Sequence, residues 1–170
     1  MVWVSKNWTL AELRSHAQRR NSVGCVWKVS LSGKVSQWQL SGGISPYSLS
    51  IRKGRLLVTP LSGKNLYIYN PERKVTKKIP LPGRIEPRHA VETDHRTVIV
   101  CLWGKRNAAK VFQIGEFDAK GNTVKLFSGC EDIADYPHVC LDSSGRVLVV
   151  DSWSSRVILL NKDPHTILYS

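Results

Sequence analysis

Three stretches of the chain decide its fold, and the clearest runs over residues 137–153 as PHVCLDSSGRVLVVDSW. Residues 46–62, PYSLSIRKGRLLVTPLS, and residues 87–103, PRHAVETDHRTVIVCLW, align with it without a gap. Each stretch has an arginine nine residues after its proline, preceded by a turn residue and followed by β-branched and leucine residues. Three copies in phase indicate a repeated structural unit.

The copy that begins at Pro46 shows what one unit contains. Runs of apolar and β-branched residues separated by Gly, Pro, Asn and Ser predict four short strands, at residues 46–51, 55–60, 65–70 and 74–81. Four strands in about 40 residues, repeated along the chain, match the size of a β-propeller blade. One blade cannot bury both of its faces, so neighbouring blades have to stack.

The sequence therefore predicts an all-β chain that forms a partial β-propeller of about four blades in one domain, residues 1–170. We expect the blades at residues 1–43, 44–82, 83–132 and 133–170. The third copy carries seven extra residues, and the first is only partial, beginning at the second strand of a blade.

The best copy carries a recurring set of residues: Pro137, Asp142, Gly145, Val149, Asp151 and Arg156-Val157. This set resembles the NHL repeat, which is found in propellers at the C-terminus of tripartite-motif (RING and B-box) ubiquitin ligases. Other copies depart from it, with Pro60 and Cys101 in place of the Asp and His95 in place of the Gly.

The resemblance implies a non-catalytic module that binds protein partners and recruits substrates for a ubiquitin-ligase-type protein. Ligase activity would lie in RING and B-box domains, whose Cys/His spacing is absent from this chain. Some NHL propellers bind RNA, which is the alternative function. NHL propellers usually close with about six blades, so we expect a fragment of a longer protein, with closure by self-association as the alternative.

The net charge of +12 is concentrated in one half of the chain. Residues 1–80 carry 14 basic side chains and two acidic ones, whereas residues 81–170 carry 11 of each sign. Such asymmetry predicts a polyanionic or acidic partner for the N-terminal half.

Candidate binding residues lie where a propeller carries its loops between second and third strands. In the first blade this loop spans residues 6–23, where a capping box over residues 9–12 predicts one short helix. In the third blade residues 103–110 form a basic loop, and Trp103 and Trp153 share a repeat position. These tryptophans either pack between blades or stack on RNA bases. The partner- or RNA-binding candidates are Arg14, Arg19, Arg20, Lys64, Arg88, Trp103, Lys105, Arg106, Lys110, Trp153 and Arg156.

Motifs for catalysis are weak, so we expect no enzyme activity, no cofactor, no metal and no small-molecule substrate. The four cysteines contain no zinc knuckle, and Cys25, Cys101 and Cys140 lie in apolar runs typical of buried thiols. His89 and His138 lie near the starts of inner strands along the predicted central channel. Metal binding there, as in propeller lyases and lactonases, is a more distant alternative than a solvated or hydrogen-bonded histidine.

The remaining expectations concern the compartment. The longest apolar run, residues 98–103, is far shorter than the roughly 20 residues of a membrane span. The N-terminus lacks the apolar core of a secretory signal. Unpaired structural thiols are typical of a reducing compartment, so we expect a cytoplasmic protein without a membrane partner.

Overall fold

The structure, a computed structural model, describes residues 2–4, 25–29, 32, 34–72, 74–83, 86–106, 109–127, 130, 133, 137–160 and 166–169. In these residues the chain forms fifteen strands in four sheets and one short 3₁₀ turn at Ser41–Gly43. The all-β prediction is confirmed. The helix expected within residues 6–23 lies outside the described residues. No helix in the described part of the chain is long and apolar enough to span a membrane.

The chain divides into two compact units, Met1–Pro46 and Tyr47–Ser170. The first unit holds a three-stranded antiparallel sheet, which we call blade 1: β1 (Val2–Val4), β2 (Cys25–Val29) and β3 (Val35–Gln39). Val26 pairs with Trp38 across β2 and β3, and both side chains are buried.

The second unit holds three four-stranded sheets, which we call blades 2, 3 and 4. Blade 2 consists of β4 (Pro46–Arg52), β5 (Arg55–Pro60), β6 (Asn65–Tyr69) and β7 (Val75–Pro80). Blade 3 consists of β8 (Glu86–Glu92), β9 (Val98–Arg106), β10 (Ala109–Phe117) and β11 (Thr123–Phe127). Blade 4 consists of β12 (His138–Leu141), β13 (Val147–Asp151), β14 (Arg156–Leu160) and β15 (Thr166–Tyr169). The four strands predicted for blade 2 match the observed ones to within one residue at each end.

Apolar cores fill the spaces between these blades. Successive residues of a strand point to opposite faces, so β9 sends Val98 and Val100 toward blade 2 and Ile99 and Cys101 toward blade 4. The core between blades 2 and 3 also contains Leu57, Leu66, Ile68, Ile79, Leu81, Ala90, Leu102 and Phe117. The core between blades 3 and 4 also contains Val91, Phe112, Ile114, Phe127, Val139, Val147, Val149, Ile158 and Leu160. Burial on both faces explains why residues 98–103 are continuously apolar.

Blade 3 contains one residue more than the gapless sequence alignment allows. In β8, Pro87 pairs with Leu102 and His89 pairs with Cys101, which leaves Arg88 as the extra residue of a β-bulge. From His89 onward, each residue of blade 3 therefore matches a residue of blade 4 one place earlier than the alignment predicts.

The turn between the first two strands confirms this shift. Arg96, with a φ of 62°, occupies the left-handed position that glycine takes in the other blades, at Gly54 (75°) and Gly145 (76°). Arg96 is therefore not the equivalent of Arg146. The expected equivalence of Trp103 and Trp153 is wrong for the same reason, because Trp103 matches Ser152.

Two further predictions are corrected by the structure. Residues 103–110 do not form an eight-residue loop, because β9 continues to Arg106 and β10 starts at Ala109, with Trp103 paired opposite Phe112. The extra residues of this copy lengthen a hairpin, which the packing of Trp103 against the core stabilises. Cys140 is exposed, because it lies on the face of blade 4 turned away from blade 3.

Candidate interaction site

The bulge in β8 places Arg88 on the upper face, by which we mean the side of the second unit that carries the turns between second and third strands. The guanidinium carbon of Arg88 lies 5.5 Å from the ring centre of Tyr47 and 5.0 Å from that of Trp103. Its Nη2 donates a hydrogen bond of 3.2 Å to Oε2 of Glu86, and 19% of its side chain is exposed. Cation–π contacts of this kind contribute about 0.5–1 kcal/mol each at exposed sites. The result is a preorganised aromatic–cation platform, Tyr47–Arg88–Trp103, that bridges blades 2 and 3.

Trp153 is the most exposed large apolar side chain in the described residues, with 79% of its surface in solvent. It lies in the tight turn between β13 and β14, where Ser155 has a φ of 52°. Nε of Arg156 lies 3.0 Å from Oδ2 of Asp151, and the Asp151 side chain is fully buried. The backbone N–H of Ser154 donates to the other carboxylate oxygen. The ion pair thus closes the turn that holds Trp153 in solvent.

A histidine pair lies on the inner strands beneath this face. The rings of His89 and His138 have centroids 5.1 Å apart, and the backbone N–H of Val139 donates to Nδ1 of His89 at 3.2 Å. Burial lowers the pKa of His89 to about 4, assisted by repulsion from the His138 cation. Burial also lowers the pKa of His138. Both rings are therefore neutral at neutral pH, with the His89 proton on Nε2.

No three His, Cys, Asp or Glu side chains among the described residues come together as a metal site would require. His89 ties β8 to β12, because its Nδ1 accepts a hydrogen bond from the Val139 N–H.

We expect acid to weaken the association of blades 3 and 4. The pKa of His89 is depressed on folding, so stability is fully present above an unfolded pKa of about 6.5 and falls as the pH drops toward 4. The loss by pH 4 is on the order of 3 kcal/mol. Urea unfolding between pH 7.5 and 4.5 measures it. His89→Gln should flatten this dependence, whereas His95→Gln, at an exposed turn, should retain it; equal behaviour of the two variants would contradict the prediction.

The structure brings together some of the predicted binding residues and separates others. Arg88 and Trp103 meet in the platform, Trp153 projects into solvent and Lys64 is exposed in the turn of blade 2. Arg156 has Asp151 as an internal partner. Lys105, Arg106 and Lys110 belong to the β9–β10 hairpin, where the structure describes their backbone alone, and Arg14, Arg19 and Arg20 lie outside the described residues. The roles of these residues stay predictions.

Sequence reasoning missed Tyr47, which covers one face of Arg88. The sequence carried a usable signal for Tyr47, because it directly follows Pro46, just as His138 directly follows Pro137. Once the Arg88 bulge is accounted for, His89 occupies the same place in blade 3. Three neighbouring inner strands thus carry an aromatic ring at one structural level.

Comparison with known proteins identifies the architecture. No protein-family model and no curated protein sequence matches the chain. Among solved structures, it is similar to a streptogramin B lyase, with a TM-score of 0.60 at 14% identity over 87% of this chain and 48% of the lyase. A catalytically inactive histidine-to-alanine variant of virginiamycin B lyase from Staphylococcus aureus, with quinupristin, gives 0.58 at 14% identity over 87% of this chain and 49% of that one. The WD40 β-propeller domain of Doa1 gives 0.53 at 13% identity over 84% and 48%.

These neighbours are β-propeller proteins, and the chain spans about half the length of each of the three. At this level of identity the similarity establishes the fold and leaves function to the residues of this chain. Together with the stacked four-stranded sheets, it shows that the chain is a partial β-propeller.

Proposed function

We propose that this chain is a non-catalytic propeller interaction module that binds a protein partner through its upper face, with Trp153 as the anchor. The observation that carries this proposal is the 79% exposure of Trp153 in a turn fixed by a buried ion pair. Trp is enriched among the residues that contribute most to protein–protein binding. Because the turn is already ordered, binding costs little further entropy there.

The platform of Tyr47, Arg88 and Trp103 supplies the polar part of the same surface. Arg88 contacts two rings and donates to Glu86, so it has little conformational freedom left to lose when a partner offers a carboxylate or carbonyl oxygen. A peptide with an acidic residue for Arg88 and an aromatic or aliphatic residue for Trp153 fits these groups. We infer a partner of this chemistry.

The NHL-like sequence pattern supports a more specific part of the proposal, the recruitment of substrates for a ubiquitin-ligase-type protein in the cytoplasm. In blade 4 the Asp and Arg of that pattern form the ion pair that presents Trp153. The similarity to a WD40 domain agrees with an interaction role. Lyase activity belongs to the similar lyases, and for this chain we propose none.

Selection from a peptide-display library tests the interaction. For a selected peptide, Trp153→Ala is expected to raise the Kd at least about tenfold, because a central aromatic anchor contributes about 1–2 kcal/mol or more. Leu126→Ala is the matched control, since Leu126 is also apolar and 49% exposed but lies on β11, the outer strand of blade 3. Selected peptides that bind both variants equally well would contradict the proposed site.

RNA binding is the second candidate, and the charge of residues 1–80 favours it. Single-stranded RNA titrated between roughly 50 and 200 mM salt distinguishes the two. If RNA is the partner, changing Arg14, Arg19 and Arg20 together to Ala lowers the slope of log affinity against log salt by about two. If a protein is the partner, RNA binding should be weak, and neither the triple change to Ala nor Trp153→Ala should alter it.

A further inference from the structure

A cleft opens between blades 3 and 4 on the lower face, by which we mean the side of the second unit that carries the turns between first and second strands. It encloses about 420 Å³, which is within the size range of small-molecule sites. Its wall on blade 4 is apolar and consists of one cross-strand row, Leu141, Val147 and Leu160. Its wall on blade 3 contains a carboxylate and an ammonium group, those of Glu116 and Lys125. The two walls therefore differ in polarity.

Glu116 occupies a position that the neighbouring blades fill with an apolar core residue. In each blade this is the residue of the third strand that pairs with the third residue after the left-handed turn position. Blade 2 has Ile68 there and blade 4 has Leu159, and both are buried. A half-buried carboxylate at such a position costs free energy unless it finds partners. We therefore looked for the groups that Glu116 meets.

One oxygen of Glu116 has a partner within the blade. Its Oε1 accepts a hydrogen bond from the hydroxyl of Thr97, which also lies 2.6 Å from the hydroxyl of Thr93. Its Oε2 accepts no hydrogen bond from any residue that the structure describes. The hydrogen bond to Thr97 thus fixes the carboxylate and leaves one oxygen available to a ligand.

Lys125 lies directly opposite Glu116 on the neighbouring strand β11. Side chains in such a pair start about 5 Å apart on the same face of the sheet. Nζ of Lys125 lies 4.8 Å from the ring centre of Phe127, and within the described part of the chain it has no carboxylate partner. A fixed carboxylate and an ammonium group without an ion-pair partner therefore lie side by side.

The other charged side chains at the cleft are held by neighbours. Asp94 pairs with Arg52, and Nε of Arg146 lies 2.6 Å from Oδ2 of Asp142. A ligand can therefore engage Glu116 and Lys125 without breaking an ion pair between described residues.

We propose that this cleft binds a small zwitterion with an apolar side chain, namely an α-amino acid such as leucine. Glu116 accepts hydrogen bonds from the ligand's ammonium group and Lys125 donates to its carboxylate, two groups that share one carbon atom and so suit charges on adjacent strands. The ligand's side chain packs on the apolar row of blade 4. The ligand is bound without being converted. The site is separate from Trp153 on the upper face and does not depend on the function proposed there.

Isothermal titration calorimetry with L-leucine tests the binding on the unaltered chain. We expect a Kd below about 1 mM. Three analogues each lack one recognised group: N-acetyl-L-leucine the ammonium, L-leucinamide the carboxylate and glycine the apolar side chain. Each should bind at least about tenfold more weakly, because one group of the cleft is then left without its partner. Absence of L-leucine binding at about 10 mM, or equal binding of any analogue, would overturn the proposal.

Single substitutions test the two charged residues. Glu116→Gln keeps an acceptor for Thr97 and removes the charge, whereas Lys125→Met removes the ammonium and keeps an apolar chain. Each should raise the Kd for L-leucine at least about tenfold. Lys77→Met is the matched control, because Lys77 has the same place in blade 2 but lies opposite Ile68, and it should leave the Kd unchanged. A Glu116→Gln variant that binds L-leucine like the unaltered chain would contradict the assignment.

Glu116→Leu separates ligand binding from folding. It gives blade 3 the type of residue that blades 2 and 4 carry at this position, so the urea midpoint should not fall. L-leucine binding should nevertheless be lost, whereas Trp153→Ala should retain it. Binding that survives Glu116→Leu would overturn the proposal.

Discussion

Gly121→Ala is expected to destabilise the second unit by more than about 3 kcal/mol. Gly121 lies in the turn between β10 and β11 with a φ of +89°, where a side chain is strained. A Cβ atom at this position would lie 1.7 Å from the carbonyl oxygen of Pro80, at the end of β7. Because the obstacle is backbone, the added methyl group can be accommodated only if blades 2 and 3 move apart.

Urea unfolding of the unaltered chain and of the Gly121→Ala variant measures the loss of stability. Gly54→Ala is the matched control. Gly54 has a φ of +75°, but a Cβ atom added there would lie within 4 Å of no heavy atom beyond its chain neighbours. Its replacement therefore adds backbone strain alone, about 1 kcal/mol. Similar losses at the two glycines would show that close contact between Gly121 and Pro80 does not restrain the blades.

Asp151→Ala is expected to cost about 3–5 kcal/mol, because it leaves the guanidinium of a mostly buried Arg156 without its carboxylate. The Asp151 side chain is fully buried and also accepts the backbone N–H of Ser154. Loss of this residue should therefore loosen the turn as well as the ion pair. Chemical denaturation measures the change in stability.

Asp94→Ala provides the control for an exposed ion pair. Asp94 pairs with Arg52 and Lys53 but is 55% exposed, so solvent screens these pairs and the loss of Asp94 should lower the stability far less than the loss of Asp151. If Asp151→Ala lowers the free energy of unfolding by no more than Asp94→Ala does, burial does not strengthen the Asp151–Arg156 pair. Replacing Asp151 by Leu together with Arg156 by Met should recover part of the loss, since neither charge is then left unpaired.

The strands and their order follow from local sequence. Alternating and β-branched runs such as residues 55–60 and 147–151, preceded by Gly54 and Gly145 in left-handed turns, define four-stranded units without reference to the rest of the chain. The stacking of blades also follows from sequence, because apolar residues on both faces of β9 require a neighbour on each side. The exposed Trp153 was among the predicted site residues, although the sequence favoured packing of this tryptophan between blades over exposure.

Only the tertiary structure decided which residues meet. The bulge at Arg88 is set by pairing with β9, so the sequence alignment placed Arg96 and Trp103 one position out of phase. Arg88 contacts Trp103 of its own blade and Tyr47 of blade 2. His89 contacts His138 of blade 4. The contacts between blades join residues that are far apart in the sequence. Local pattern determines strands because backbone preferences and side-chain alternation act over a few residues. Register between strands and contacts between blades depend on pairings across the whole unit, which no short stretch of sequence contains.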